Sequence, residues 1–186
     1  MKKIEMKSKF LTITIVVIAA LLVLSCAKSD GVEDGKYINQ EYGFSLEIPD
    51  GWKVILGKRA DNISQIDGVE GVSGRMVITP DNPDSNMLSV AIMELSQKQF
   101  EEVPWEEFVK TLKNNVSMDI ETEAVLKIDG LDVYHAGGVT ARYHMDFNLF
   151  TTNKQVIQIF YYVTRPVDND VMQQMAETLY SLKKLD

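Results

Sequence analysis

The stretch Leu11–Cys26 constrains this chain more than any other, because it separates a leader from the part that follows. The leader begins with four lysines and one glutamate and has no charge from Phe10 to Ser25. A basic start, a short apolar run and a small residue before the cleavage point are typical of a secretory signal. The uncharged run is about 15 residues long, shorter than the roughly 20 that a membrane-spanning helix needs. The sequence therefore predicts export and removal of residues 1–25.

The leader closes with Val23-Leu24-Ser25-Cys26, and this cysteine is the only one in the chain. The tetrapeptide resembles the lipobox of bacterial lipoproteins. The resemblance implies that the leader is cut before Cys26 and that the Cys26 sulfur then carries a diacylglyceride. Two acyl chains give a stable membrane anchor, whereas one gives only marginal binding. The alternative interpretation is an uncleaved N-terminal membrane helix with an incidental cysteine.

The part after the leader is acidic. The whole chain has a formal net charge of −8, and residues 1–25 carry +3, so the remainder carries −11. Such a surface disfavours nucleic acid and anionic headgroups as partners, so any membrane contact is expected from the lipid alone. Residues 26–36 are small and polar and predict a flexible tether. Residues 37–186 are expected to form one domain of ordinary size.

The predicted domain opens with two strands, at Tyr37–Asn39 and at Tyr42–Ile48, and in the second apolar and polar residues alternate. Pro49-Asp50-Gly51 predicts a turn, since Pro presets φ and Gly tolerates positive φ. Trp52 follows the turn and is expected to be a buried aromatic residue.

This opening carries a family resemblance. The run Asn39-x-x-Tyr42-Gly43-Phe44-Ser45-Leu46-x-Ile48-Pro49-x-Gly51-Trp52 resembles the start of the PsbP-like superfamily, which includes many small bacterial lipoproteins. The resemblance implies an α+β fold in which helices pack on both faces of an antiparallel β-sheet, an α/β/α sandwich. It implies no particular activity, because one fold serves many functions.

Two patterns in the next part of the chain lack what a ligand site requires. Gly68, Gly71 and Gly74 recur at three-residue spacing, but no Gly-Lys-Ser/Thr follows, so a phosphate loop is not predicted. The segment from Gly57 to Arg75 is instead predicted as a mobile loop. Farther on lie Asp81, Asp84 and Asn86, which are oxygen donors, yet their spacing does not match a calcium loop.

The middle of the domain is predicted to contain strands at Met76–Thr79 and Met87–Leu95 and then a helix at Pro104–Asn115. In this helix Trp105 and four further apolar residues fall at helical spacing. The apolar stripe is expected to face the core, and the alternative is a partner-binding face.

The second half is predicted to be mostly strands. Glu121–Ile128 and Leu131–Thr140 flank Asp129-Gly130, a strong hairpin signal. Gly137-Gly138 predicts a bulge or a close backbone approach. The next two predicted strands, Ala141–Thr151 and Gln155–Thr164, flank a turn at Asn153-Lys154.

The last part of the domain predicts a central strand and a closing helix. Val156–Val163 is apolar on both faces and is therefore expected to be covered on both sides. A helix is predicted after Asp168 as N-cap, with Lys183 and Lys184 at its C-terminal end, where the helix dipole favours cations.

His135 and His144 are the only histidines and fall on consecutive predicted strands, with Asp132, Arg142 and Asp146 near them in sequence. Two imidazoles and a carboxylate could bind a transition metal. The spacing matches no known ligand pattern, and Arg142 would oppose a cation electrostatically. The preferred prediction is therefore two solvated or hydrogen-bonded histidines, no metal and no cofactor.

These features predict a membrane-anchored extracytoplasmic lipoprotein that acts as a non-enzymatic protein-binding or assembly module of the cell envelope. Its partner is expected to be another envelope protein. The alternative is a lipoprotein receptor for a small ligand or a cation. An enzyme is not predicted, because Cys26 is consumed by lipid and no serine lies in a nucleophile-elbow pattern.

Overall fold

The computed structural model describes residues 30–64, 72–93, 118–153 and 155–185. Within them the chain is mostly antiparallel β-structure with two short helices. The strands are β1 (Gly31–Glu33), β2 (Lys36–Asn39), β3 (Phe44–Glu47), β4 (Lys53–Leu56), β5 (Val72–Thr79), β6 (Asn86–Met93), β7 (Asp119–Ile128), β8 (Leu131–Val139), β9 (Tyr143–Thr152), β10 (Gln155–Thr164) and β11 (Lys183–Lys184). The helices are α1 (Lys58–Ser64) and α2 (Asn169–Tyr180).

The strands form two sheets. The large sheet has seven strands in the order β4-β5-β6-β10-β9-β8-β7, and the small sheet has four in the order β1-β2-β3-β11. The pairings within both sheets are antiparallel. The central position of β10 confirms the prediction made from its apolar run.

The main core lies between one face of the large sheet, the small sheet and α2. Phe44 of β3 is fully buried at its centre. Its ring meets Tyr37 at 6.0 Å and Phe150 at 5.6 Å, both edge to face. Met175 and Leu179 of α2 are buried in the same cluster. Each such side chain contributes about 1.5–3 kcal/mol relative to an exposed one, so this cluster holds the two sheets and α2 together.

The second face of the large sheet is also buried at many positions. Val77, Met87 and Ala60 of α1 form a separate apolar cluster there. Phe147 and Leu149, farther along the sheet, are 3% and 0% exposed. The predicted packing of helices on both faces is nevertheless not shown, and the described part of the chain is richer in β-structure than predicted. The antiparallel α+β class is confirmed.

The prediction of a loop from Gly57 to Arg75 is wrong. Lys58–Ser64 form α1, and β5 begins at Val72. The Gly74 N–H donates to Asp61 Oδ1 of α1 at 2.8 Å, so the helix is tied to the strand. The sequence did not reveal α1 because the helix has only seven residues. Among those whose burial is described, Ala60 alone is fully buried, which leaves no apolar period to recognise.

Regular secondary structure begins before Tyr37, the predicted first residue of the domain. Gly31–Glu33 were predicted within the tether but form β1 and pair with β2. Asp30 also accepts a hydrogen bond from the Tyr37 hydroxyl at 3.0 Å. Composition could not predict this strand, because its pairing uses backbone groups and its side chains are partly or fully exposed.

The C-terminal helix begins as predicted. The Asp168 side chain accepts from the N–H groups of Asp170 and Val171 and caps α2. Its end differs from the prediction, since Lys183 and Lys184 do not extend the helix. They form β11 against Ser45 and Phe44 of β3.

The predicted hairpins are confirmed. Asp129 and Gly130 both have positive φ, 48° and 78°, as a two-residue turn of this kind requires. Asn153 also adopts positive φ, 46°, at the turn between β9 and β10. The predicted helix Pro104–Asn115 lies outside the described residues, as does the end of the strand predicted to reach Leu95.

Candidate functional site

Polar side chains interrupt the core face of the large sheet on β9. His144, Asp146 and Asn148 alternate along this strand and therefore point to the same face. Asp146 is 4% exposed and Asn148 is fully buried. Register places His135 of β8 directly opposite Asn148. These four residues form what we call the histidine–aspartate cluster.

Asp146 lies between the two histidines. His135 Nε2 is 3.3 Å from Asp146 Oδ1, and His144 Nε2 is 3.1 Å from Asp146 Oδ2. The histidine side chains are 18% and 27% exposed, whereas that of Asp146 is 6% exposed. A buried carboxylate needs partners that replace its water, and the two imidazoles supply them. The prediction of hydrogen-bonded histidines is thus confirmed, and the cluster couples both rings to one acid.

Asn148 fixes the orientation of His135. The Asn148 side-chain nitrogen donates to the Ile159 carbonyl of β10 at 3.3 Å, so its Oδ1 points to the imidazole. His135 Nδ1 lies 2.8 Å from that oxygen. An amide oxygen only accepts, so His135 Nδ1 is the donor.

The cluster is closely packed by Gly137 and Tyr161. A Cβ on Gly137 would lie 2.5 Å from Asp146 Oδ1 and 2.6 Å from the Thr122 hydroxyl, so only glycine fits. A Cβ on the neighbouring Gly138 would lie 2.3 Å from the Asp119 carbonyl oxygen, which confirms the predicted close backbone approach. Tyr161 pairs with Asp146 in register across β9 and β10. Burial raises the pKa of the Tyr161 hydroxyl above its usual range, and the adjacent Asp146 carboxylate raises it further.

The other charged residues near the histidines in sequence lie elsewhere. Asp132 forms an ion pair with Lys127 across the β7–β8 hairpin. Arg142 lies over the Tyr143 ring at 5.1 Å, outside β9, so it does not pair with Asp146. Among the described residues no group of three metal-ligating side chains is arranged to hold an ion.

Two of the oxygen ligands after β5, the side chains of Asp81 and Asn86, accept hydrogen bonds from backbone groups. Asp81 Oδ1 accepts from the Asn82 N–H at 2.6 Å. Asn86 Oδ1 accepts from the Thr164 N–H at 3.0 Å and ties the turn to β10. Of the three glycines at three-residue spacing, Gly74 lies in β5, and Gly68 and Gly71 lie outside the described residues.

A shallow groove of about 120 Å³ lies between the end of β3 and α2. Glu47 and Glu177 bring two carboxylates to its wall. The groove does not include the histidine–aspartate cluster. Pockets for drug-sized ligands have volumes of about 300–1,000 Å³, so this groove is too small to enclose one.

Sequence reasoning missed Asn148 and Tyr161. The signal for Asn148 was present, because His144, Asp146 and Asn148 are polar at every second position and apolar residues lie between them. Tyr161 could not be recognised, because its role depends on the pairing of β9 with β10.

The predicted lipid attachment residue Cys26 and the leader lie outside the described residues. Across the described ranges, no helix has the length and apolar character to cross a membrane.

The two antiparallel sheets and the helix α2 packed against them define an antiparallel α+β protein. Comparison with solved structures specifies the fold. The chain resembles cyanobacterial PsbP (CyanoP) from Synechocystis with a TM-score of 0.56 and 15% identity, over 86% of this chain and 98% of that one. The chain therefore has a PsbP-like fold. At 15% identity the likeness shows the fold alone.

Two further structures match with TM-scores below 0.5. LpqN of Mycobacterium tuberculosis, described as involved in cell envelope biogenesis, has a TM-score of 0.45 at 14% identity over 80% of this chain and 88% of its own. A Bacteroides thetaiotaomicron protein has a TM-score of 0.46 at 14% identity over 83% of this chain and 50% of its own. No family model matches the sequence. No curated protein matches it either.

Proposed function

We propose that this chain is a lipid-anchored extracytoplasmic protein whose PsbP-like domain is a non-enzymatic protein-binding or assembly module of the cell envelope. The observation that carries the proposal is the leader that ends in Ser25-Cys26, the only cysteine of the chain. A diacylated Cys26 would hold the domain at the membrane surface. The partner would then be a protein of the same envelope.

One feature of the described residues favours a protein partner over a small ligand. The polar groups of the histidine–aspartate cluster are engaged with one another, as Asp146 contacts both imidazoles and Asn148 contacts His135. A binding site for a small ligand would instead present unpaired polar groups to a cavity.

The alternative is a receptor for a cation. The observation that favours it is the convergence of His135, His144 and Asp146 on one face. Imidazole nitrogen and carboxylate oxygen are ordinary ligands of zinc. Zinc titration of the wild type and of a variant without the two histidines separates this alternative from the protein-binding proposal.

The anchor is tested by labelling cells with palmitate. The wild type is expected to be labelled and processed, whereas Cys26→Ser should remain an unlabelled precursor. Ser25→Ala keeps a small residue before the cleavage point and is the matched control, with labelling expected to persist. Undiminished labelling of Cys26→Ser would show that the lipoprotein proposal is wrong.

The binding role is tested by photo-crosslinking in whole cells, with the crosslinker placed at exposed positions of the domain. A defined envelope protein should be captured from a specific set of positions, and the capture should persist in the His135→Ala/His144→Ala variant. Loss of capture in that variant, together with tight zinc binding by the wild type, would favour the receptor.

A further inference from the structure

The strand β7 forms one outer edge of the large sheet. It pairs with β8, and among the described residues no other strand lies beside it. It has ten residues, of which seven are exposed, whereas β4 at the opposite edge has four residues. A long exposed edge offers unpaired backbone N–H and C=O groups to another strand. The strand β7 is therefore a candidate surface for pairing with a second chain.

The turn after β7 determines which of its residues direct their backbone groups outward. Asp129 and Gly130 have positive φ and form a two-residue turn. The residues that flank such a turn, here Ile128 and Leu131, form a hydrogen-bonded pair. Hydrogen-bonded and non-hydrogen-bonded pairs alternate along an antiparallel ladder, and from Thr122 to Ile128 the register with β8 is regular. The residues of odd number in this stretch therefore turn their N–H and C=O groups to the open edge.

Three residues with outward backbone groups, Glu123, Val125 and Lys127, also share one face of β7. Val125 is 62% exposed, the highest value among the exposed large apolar residues that are described. An antiparallel second copy presents the same three side chains in reverse order. A twofold axis at Val125 would thus set valine against valine, and each Glu123 against Lys127 of the other copy. Opposite charges directly across from each other stabilise a pair of strands.

We propose that two copies of this chain pair through β7, antiparallel about Val125, and so join their large sheets into one. A twofold interface uses the same surface on both copies, so each favourable contact occurs twice. An axis centred on Glu123 or on Lys127 would instead set two like charges directly opposite each other. On the other face of β7, the register about Val125 brings Ala124 against Leu126 of the other copy, which is an apolar contact. Such pairing requires neither the lipid anchor nor an envelope partner, so it goes beyond the proposed function.

The contacts that Glu123 and Lys127 already make leave both charges available. Glu123 lies beside the Tyr134 hydroxyl, whose pKa is raised to about 12 by burial and then by this carboxylate. A neutral hydroxyl does not cancel the charge of the carboxylate. Lys127 pairs with Asp132 of β8, but the two side chains are 72% and 64% exposed. An exposed ion pair of this kind contributes little to stability, so Lys127 can contact a second carboxylate.

Two acidic features oppose the pairing only weakly. The net charge of −8 repels a second copy, but this repulsion is screened beyond about 8 Å at physiological ionic strength. Facing residues of paired strands have their Cβ atoms about 5 Å apart, within that distance. The register also brings Glu121 toward Asp129 of the other copy. Glu121 lies at the register shift of β7, outside the regular stretch, and Asp129 already pairs with Lys183 at 3.7 Å.

Disulfide crosslinking tests the register in the full-length chain, purified in detergent. Cys26→Ser is the background, so each introduced cysteine is the only one. Val125→Cys should form a covalent dimer under mild oxidation, because Cα atoms of a hydrogen-bonded pair are about 5.5 Å apart, within disulfide range. Val32→Cys, at a position of the small sheet that is 43% exposed, is the matched control and should remain monomeric.

Two further cysteine positions test the twofold axis. Glu123→Cys and Lys127→Cys should each stay monomeric alone, because four residues separate each position from its own counterpart across the axis, about 13 Å. A mixture of these two variants should form the crosslinked dimer, because position 123 of one copy faces position 127 of the other.

Exchange of the charges tests the pairing without cysteine. Glu123→Lys and Lys127→Glu each set like charges against one another at both ends of the interface, so each should dimerise about tenfold more weakly in sedimentation. Glu123→Lys/Lys127→Glu reverses both pairs at unchanged net charge and should restore the dimerisation of the wild type. Circular dichroism and melting show that each variant is folded.

Each other outcome overturns the proposal. The wild type may sediment as a monomer up to about 1 mM, or Val125→Cys may crosslink no better than Val32→Cys. The double charge variant may be as weak as the two single variants, or Glu123→Cys may crosslink with itself as readily as with Lys127→Cys. A dimer formed through a surface other than β7 would also reject the pairing, and it would leave the proposed function standing.

Discussion

His135 Nδ1 lies 2.8 Å from Asn148 Oδ1, and the other end of the Asn148 amide is held by the Ile159 carbonyl. The amide cannot turn over without bringing its oxygen against that carbonyl. His135 Nδ1 therefore carries a proton. The other ring nitrogen faces the Asp146 carboxylate, which also accepts, so both nitrogens of this ring point at acceptors.

Asn148→Ala should release His135 from this arrangement. The substitution leaves the Ile159 carbonyl and His135 Nδ1 without their buried partner, which costs about 1–3 kcal/mol of unfolding free energy. Nitrogen NMR of the imidazoles should show a proton on His135 Nδ1 in the wild type and the loss of this proton from Nδ1 in the variant. His144, which does not contact Asn148, is the internal control. An Nδ1 without a proton in the wild type would contradict the assigned hydrogen bond.

Gly137→Ala should destabilise the domain through the cluster. Its Cβ would lie 2.5 Å from Asp146 Oδ1 and 2.6 Å from the Thr122 hydroxyl, so a strand or a buried carboxylate must shift. Overpacking of this kind costs about 1–3 kcal/mol. Urea unfolding measures the loss. Gly31→Ala is the matched control, because nothing lies within 4 Å of its Cβ position. Equal stability of the two variants would show that the Asp146 and Thr122 side chains can move to accommodate the added Cβ without loss of stability.

The sequence predicted those elements whose signals are local. Asp129-Gly130 marked its hairpin because the two residues tolerate positive φ, and Asp168 marked the start of α2 because a carboxylate caps free N–H groups. It did not predict α1 or β1, which have too few buried residues to produce a period. It assigned Lys183 to a helix end, because pairing with β3 is a tertiary contact that a dipole argument does not contain.

Only the part of the histidine–aspartate cluster that depends on a single strand was predicted. Alternation along β9 placed His144 and Asp146 on one face, and this follows from strand geometry alone. The position of His135 depends on the register between β8 and β9, which sets it opposite Asn148. Register is fixed by the whole hydrophobic pattern and the turn lengths, so it is not visible in any one strand.

Trp52→Ala should destabilise the domain less than Phe44→Ala. Trp52 was expected to be buried, but it is only partly buried at the edge of the core, with its indole N–H donating to Gln174 at 2.9 Å. We expect a loss of about 1–2 kcal/mol for Trp52 and about 3–5 kcal/mol for the fully buried Phe44. Denaturant unfolding of both variants measures the difference. A larger loss at Trp52 would contradict its partial burial.

Stability should fall in alkaline solution through the buried tyrosines. Burial raises the pKa of Tyr161, and burial with the adjacent Tyr143 and Asp84 raises the pKa of Tyr162 to about 12. An unfolded tyrosine ionises near about 10. Below that pH the tyrosine hydroxyls are protonated in both the folded and the unfolded state, so their contribution to stability is fully present. Above it the unfolded state loses its proton first, so stability declines as pH rises toward the folded pKa.

Denaturant unfolding between about pH 8 and 12 checks this prediction. Tyr161→Phe should reduce the decline by at most about 1.4 kcal/mol per pH unit, the share of one proton. Tyr180→Phe, at a position that is 60% exposed, is the matched control. An unchanged slope in Tyr161→Phe would show that this hydroxyl already ionises in the folded protein.

The last prediction concerns zinc, since His135, His144 and Asp146 offer the ligand types that it prefers. Both Nε2 atoms already face the Asp146 carboxylate, at 3.3 and 3.1 Å, and His135 Nδ1 is committed to Asn148. Zinc would have to displace the protons of these hydrogen bonds, because metal ligands bind in their deprotonated form. We therefore expect residues 28–186 to bind zinc no better than the His135→Ala/His144→Ala variant.

Calorimetry on chelator-treated samples of both proteins measures the difference. Asp146→Asn is the informative third variant. It keeps the shape of the cluster but removes the charge that a cation needs, so zinc binding should stay as weak as in the wild type. Micromolar or tighter binding by the wild type that is lost in both variants would instead assign the cluster to a cation. In that case the hydrogen bonds to Asp146 would be the resting state of a metal site, and the receptor would replace the protein-binding module.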